Sequence, residues 1–266
     1  MAVITNQLAR LGNVVANDWL VFGLSIFEAA IAFGLGRVSG MWWLAAVIVA
    51  AIELRALWFD ARAKSDKRVG VIWEQLPGLI MGLSVILIIA LVPRAITQVV
   101  VGLLYAVWLV WRRRVPAEFS KSLVQLLIIQ GTMFEAIFLM AATPTWPVPV
   151  WLTLAMVWAG SYVGVYATLK RRDDRSAGVM AATWGVIATE VAWVLMLWLI
   201  TYTMRGGYVL VPQPALILTA LSYVFGSVLA SSRQGNLSRA RLAEYMLIAL
   251  VLVVIVVIGT SWRGNV

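Results

Sequence analysis

The chain has 266 residues, 62% of them apolar and only 12% charged, against roughly 25% charged in an ordinary soluble domain. It contains no Cys and no His, which excludes disulfide frameworks, thiolate metal sites, His-ligated haem and any acid–base or nucleophilic chemistry built on those residues. The formal net charge of +9 sits in short loops between apolar runs, so it tracks membrane orientation and not a nucleic-acid partner.

Residues 1–17 are too polar to span a bilayer. Ile4, Leu8, Leu11 and Val15 share one helical face, which fits a short helix lying on the cytoplasmic surface as well as it fits a frayed tail. Apolar runs of about 20 residues then recur to the end of the chain, the length a bilayer-spanning helix needs. They place nine spans near 18–36, 40–59, 71–92, 95–111, 121–142, 148–169, 177–203, 209–230 and 244–261.

The first hairpin, 18–68, carries Phe27-Glu28-Ala29 in its outward helix. Its return helix holds Glu53 and Arg55, which are two residues apart and cannot face each other. Arg55 is expected to reach the headgroups, and Glu53 needs another cation, with Lys64 and Arg171 as candidates. The second hairpin, 69–117, has Tyr105 ahead of Arg112 but no mid-helix acid. Pro77-Gly78 stands in its outward helix, and Pro77 predicts a bend near the cytoplasmic end.

The third hairpin, 118–175, repeats the phrase as Phe134-Glu135-Ala136 and returns through Ser161-Tyr162-Val163-Gly164. The fourth, 176–242, has Thr189-Glu190-Val191 with Trp193 on the same face, and returns through Ser222-Tyr223-Val224. Pairs of small residues four apart, Gly78 with Gly82 and Gly160 with Gly164, predict close helix approach. Residues 243–266 form a ninth helix and tail, in which 250–258 is Leu, Val and Ile throughout. This reads as a lipid-facing anchor.

The expected fold is an all-α integral membrane protein of nine transmembrane helices, four tandem parallel helical-hairpin repeats plus a C-terminal helix. Of the 21 Lys and Arg residues, only Arg37, Arg94, Arg205 and Arg263 fall on one side of this arrangement. The other 17 fall on the opposite side, which the positive-inside rule makes cytoplasmic. The N-terminus is then in the cytoplasm and the C-terminus outside.

The intramembrane acids are the candidate chemistry. An ionisable group at bilayer depth is costly and needs a partner, a cavity or a function. Glu28, Glu135 and Glu190 are therefore candidate ligand-binding or proton-relay residues, with Tyr105, Tyr162, Tyr223 and Trp193 as their polar and aromatic companions. The alternative is that each acid is a hydrogen-bonded packing device between helices. Trp158, Trp184 and Trp198 also lie deeper than an interfacial belt and could join Trp193 in an aromatic pocket or simply pack.

The run Glu190-Val191-Ala192-Trp193-Val194-Leu195, followed by Ser222-Tyr223-Val224 and a basic loop ending near Arg241, resembles uncharacterised multi-spanning membrane families of small-genome bacteria. The resemblance covers about one quarter of the chain. Leu197-Trp198-Leu199 stands where those families have Leu-Pro. It implies a prokaryotic integral membrane protein and carries no known activity.

Three functions fit these residues. One is a transport or ligand-binding bundle built on the repeated carboxylates. Another is a non-catalytic membrane subunit or scaffold working with a membrane-protein partner or a second copy of itself. The third is a lipid-modifying enzyme with Glu as base and Arg as phosphate ligand, which no His, Cys or metal-ligand cluster supports. No cofactor or metal is expected, and the lipid bilayer is the one partner the composition requires.

Overall fold

The computed structural model describes residues 22–38, 40–63, 68–114, 119–144, 148–170, 176–197, 201–203, 210–233, 235 and 237–258. Among them the chain forms α1 (22–37), α2 (Trp42–Ala63), α3 (Arg68–Leu91), α4 (Ala95–Arg114) and α5 (Phe119–Ala142). These are followed by α6 (Val150–Lys170), α7 (Ala177–Met196), α8 (Gln213–Arg233) and α9 (Arg239–Ile258). Among the described residues, four helical segments are long and apolar enough to cross a membrane: Ala95–Arg112, Leu123–Ala142, Val150–Lys170 and Ala177–Met196. Shorter apolar stretches run over Leu76–Leu91 and Gln213–Leu229. Helices suit this setting because they satisfy their backbone polar groups internally, which a hydrocarbon surrounding demands.

The turns follow local chemistry. Gly40, between α1 and α2, has φ +84°, a left-handed conformation that glycine reaches without a Cβ clash. Pro93 follows the end of α3, where the freed carbonyls need donors. The side-chain amide of Gln98 supplies them, donating to the Ile89 oxygen at 2.9 Å and the Val92 oxygen at 2.8 Å.

Pro77 lies inside the continuous helix α3. One point departs from expectation. The fourth outward helix stops at Met196 where an apolar span through 203 is expected. Thr201–Thr203 instead pairs antiparallel with Leu210–Pro212. β-Branched Thr201 and Thr203 around Tyr202 favour extended backbone. Residues 1–17, Lys64, Arg171 and Trp198 fall outside the described residues.

The core has two parts. The first, centred on Val49, Val85, Ile86, Tyr105 and Leu109, joins α1 to α4. The second, centred on Phe134, Phe138, Val165, Trp184 and Leu218, joins α5 to α8. Helix α3 links them, packing against α2, α4, α5 and α6, with Ile88 and Val92 against Ala136 and Leu139. Glycines set the closest approaches. A Cβ at Gly160 on α6 would overlap the Met133 sulfur of α5, and one at Gly164 would meet Leu126 Cδ1 at 3.1 Å.

Candidate functional site

Helix α4 turns Tyr105, Trp108, Leu109 and Arg112 inward, a spacing of three and four residues that forms one buried stripe. Its outer face carries Val100, Leu103, Leu104 and Val107. Two members of the inner stripe reach acids on other helices. The Tyr105 hydroxyl donates to Oε1 of Glu28 on α1 at 2.9 Å, and both side chains are fully buried. Arg112 forks onto Glu53 of α2, with Nη1 to Oε1 at 3.0 Å and Nη2 to Oε2 at 3.5 Å. The Arg112 guanidinium also lies 5.4 Å over the Trp108 ring, which in turn stacks on Tyr105 at 6.0 Å.

Helix α3 makes room for both contacts. A Cβ at Gly82 would stand 2.9 Å from the Tyr105 hydroxyl and 2.7 Å from Val49. A Cβ at Gly78 would overlap the Arg112 guanidinium. The Gly78–Gly82 pair thus admits polar side chains as well as a neighbouring backbone. Arg112 is the cation that Glu53 finds among the described residues. This pairing was hidden because it spans 59 positions of sequence. The signal that could have revealed it is the seven-residue spacing of Tyr105 and Arg112 opposite two glycines one turn apart.

Glu135 has a different setting. Helix α5 buries Met133, Phe134, Ile137 and Phe138 against its neighbours. That leaves Val124, Ile128, Gly131 and Glu135 along the opposite face. Helices α4 and α5 both pack on α3, and a cleft of about 660 Å³ lies between them, with Glu135, Gly131, Tyr105, Trp108 and Trp111 among its walls. On the other side of Glu135, α5 and α8 enclose a second cleft of about 500 Å³, walled by Gly131, Thr219 and Tyr223. Glu135 and Gly131 belong to both. Glu135 is half-buried, and among the described residues it has no hydrogen-bond or ion-pair partner.

Glu190 and Trp193 lie elsewhere. Both are exposed on α7, along a stripe with Val179, Val186 and Leu197, and neither lines the clefts beside Glu135. Tyr162 sits in an aromatic column, stacked between Trp158 at 5.5 Å and Tyr166 at 5.6 Å, with Trp73 against the Tyr166 edge at 4.4 Å. Trp184 is buried against Phe225 at 4.8 Å. The described tryptophans therefore pack in separate places and do not share one pocket with Trp193.

Of Glu28, Glu135 and Glu190, Glu135 alone is among the described residues lining the two clefts above. Tyr105 connects two of them: its hydroxyl holds Glu28 while its side chain lines the cleft that Glu135 faces. The arrangement offers one unpartnered carboxyl on an apolar and aromatic wall, backed by a second carboxyl already satisfied. Among the described residues no group of three or more His, Cys, Asp or Glu could hold a metal ion. Comparison with known proteins finds no matching family model, no matching curated protein and no matching solved structure.

Proposed function

We propose that this integral membrane protein is a transport or ligand-binding helical bundle whose ligand site centres on Glu135. The observation that carries this reading is the position of that carboxyl: half-buried, shared by two clefts and without a hydrogen-bond or ion-pair partner among the described residues. An acid kept at membrane depth without a structural partner has a cost that packing does not explain. Glu28 and Glu53, by contrast, have partners in Tyr105 and Arg112. The cleft volumes fall in the range that small-molecule sites occupy, about 300–1,000 Å³.

The wider frame of this reading is nine transmembrane helices, with four tandem hairpins and a ninth helix, the N-terminus cytoplasmic. Its support is the asymmetry of Lys and Arg between alternate loops and the recurrence of the acid-bearing phrase. The reading involves no catalytic residue and no cofactor.

The test uses the protein in lipid nanodiscs with three probes of equal chain length: dodecylamine, dodecanoic acid and dodecanol. At least one should raise the melting midpoint of the wild type saturably, and the effect should vanish in Ile128→Trp, which fills the cleft from its rim. If none of the three does so, the reading fails.

A second reading, a non-catalytic membrane subunit, has one observation in its favour. Glu190 is exposed midway along a spanning helix and has no partner among the described residues. A lone carboxyl facing lipid calls for a donor from another chain. Under this reading the protein purified in mild detergent runs as a complex, and Glu190→Gln reduces it to a monomer. A wild type that is monomeric at all concentrations removes this alternative.

A further inference from the structure

The cleft between α4 and α5 has a chemistry that narrows its occupant. Its walls combine three aromatic side chains, Tyr105, Trp108 and Trp111, with aliphatic residues from α3, α4 and α5. Among the described residues, Glu135 and the Tyr105 phenol are the ionisable groups on those walls, and none of the described residues lining either cleft is Lys or Arg. Arg112, nearby on α4, is committed to Glu53 and to the face of Trp108. A site with a carboxyl, aromatic faces and no cation of its own is complementary to a positive centre.

The rim indicates the route of access. Leu104 and Val107 on α4 are 64% and 66% exposed, and Val124 and Ile128 on α5 are exposed beside them. All four lie within segments long and apolar enough to span the membrane. The cleft therefore opens sideways, toward acyl chains. A strongly hydrated ion cannot take this route without losing its water at high cost. A cation whose charge is shielded by its own apolar body can.

We propose that this cleft takes a lipophilic monovalent cation from the bilayer, an apolar or aromatic body carrying a single onium or ammonium centre. Glu135 supplies the countercharge, and Trp111 contributes aromatic surface to the same cleft. The inference rests on the reading that the clefts beside Glu135 bind a ligand, and it names the class. It also gives Glu135 a partner, because the bound cation would neutralise a carboxyl that no described side chain neutralises.

A matched pair of lipophilic ions tests it. Tetraphenylphosphonium and tetraphenylborate share a shape and differ in the sign of charge. Equilibrium binding of each is measured on the whole protein in nanodiscs, with empty nanodiscs subtracted. Tetraphenylphosphonium should bind saturably to the wild type, and Glu135→Gln should weaken it at least about tenfold, a difference of roughly 1.4 kcal/mol. Trp111→Leu should weaken it severalfold, and Glu190→Gln, which touches neither cleft, should leave it unchanged. Glu135→Gln removes no contact seen in the structure, so loss of folding does not confound it.

The proposal is overturned if tetraphenylphosphonium binds no better than to empty nanodiscs, if Glu135→Gln binds it as well as the wild type, or if tetraphenylborate binds equally with the same dependence on Glu135. Stabilisation by dodecanol or dodecanoic acid without phosphonium binding would leave the ligand-binding reading standing and reject the cation class. Failure of all the dodecyl probes and of both ions would reject both.

Discussion

The hydroxyl of Tyr105 donates to Glu28 over 2.9 Å, tying α4 to α1 across 77 positions of sequence. Both partners are fully buried. The contact settles one of the costly intramembrane acids by hydrogen bonding, and by contrast it isolates Glu135.

Tyr105→Phe removes the donor and leaves Glu28 without it. Interhelical hydrogen bonds in membranes contribute about 0.6 kcal/mol on average and up to about 1.7. Burial of both groups places this one toward the upper end. Unfolding in detergent should show a loss of about 1–2 kcal/mol, and Glu28→Gln, which keeps an acceptor, should lose less. Equal losses in the two variants would contradict the bond.

The Glu53–Arg112 pair is nearly dry, with the two side chains 4% and 13% exposed. Breaking a buried pair leaves an uncompensated charge and costs about 3–5 kcal/mol. Arg112→Gln should destabilise the protein by that order. Arg112→Lys should rescue only part of it, because Lys can neither fork onto the carboxylate nor present a planar face to Trp108. A double-mutant cycle on chemical unfolding with Glu53→Gln should show strong coupling. Additive losses would mean that the two residues act separately.

The Gly78–Gly82 pair has a more specific role than close packing. Ala at Gly78 must displace the Arg112 guanidinium, and Ala at Gly82 must displace Tyr105 or Val49. Each should cost about 1–3 kcal/mol, as overpacking generally does. The cost of Gly78→Ala should shrink in an Arg112→Gln background, whereas that of Gly82→Ala should not. Stability measurements on the four variants decide this.

Glu135→Gln should change stability by no more than about 0.5 kcal/mol, the range of substitutions away from structural contacts. Thermal unfolding without added ligand checks it. A loss of about 2 kcal/mol would indicate a structural partner and would move Glu135 into the class of Glu28.

Apolar run lengths carried the membrane character into plain view, and the cost of buried charge singled out the right kind of residue. The sequence could not distinguish the acids from one another. Phe27-Glu28-Ala29 and Phe134-Glu135-Ala136 look equivalent, yet their burial is reversed. Glu28 is buried with Phe27 exposed, while Phe134 is buried with Glu135 on the cleft side. One residue along a helix is a rotation of about 100°, since a turn takes 3.6 residues. Which residue faces inward therefore depends on neighbours that only tertiary packing supplies. The same limit hid Arg112 from Glu53, and it placed Glu190 on an outer face that periodicity alone does not label. The strand pair after α7 was missed because apolar length outweighed the Thr201-Tyr202-Thr203 signal in a run that otherwise reads as a span.

Reaction with dicyclohexylcarbodiimide tests the central claim most directly. This apolar reagent reaches carboxyls from the bilayer and adds to them as a stable acylurea, which peptide mass spectrometry locates. In nanodiscs, Glu135 should be modified rapidly and Glu28 not at all. Ile128→Trp should slow the reaction at Glu135, and saturating tetraphenylphosphonium should protect it. If Glu135 resists modification, or Glu28 reacts as fast, then Glu135 is not the open, partnerless carboxyl on which this account of the protein depends.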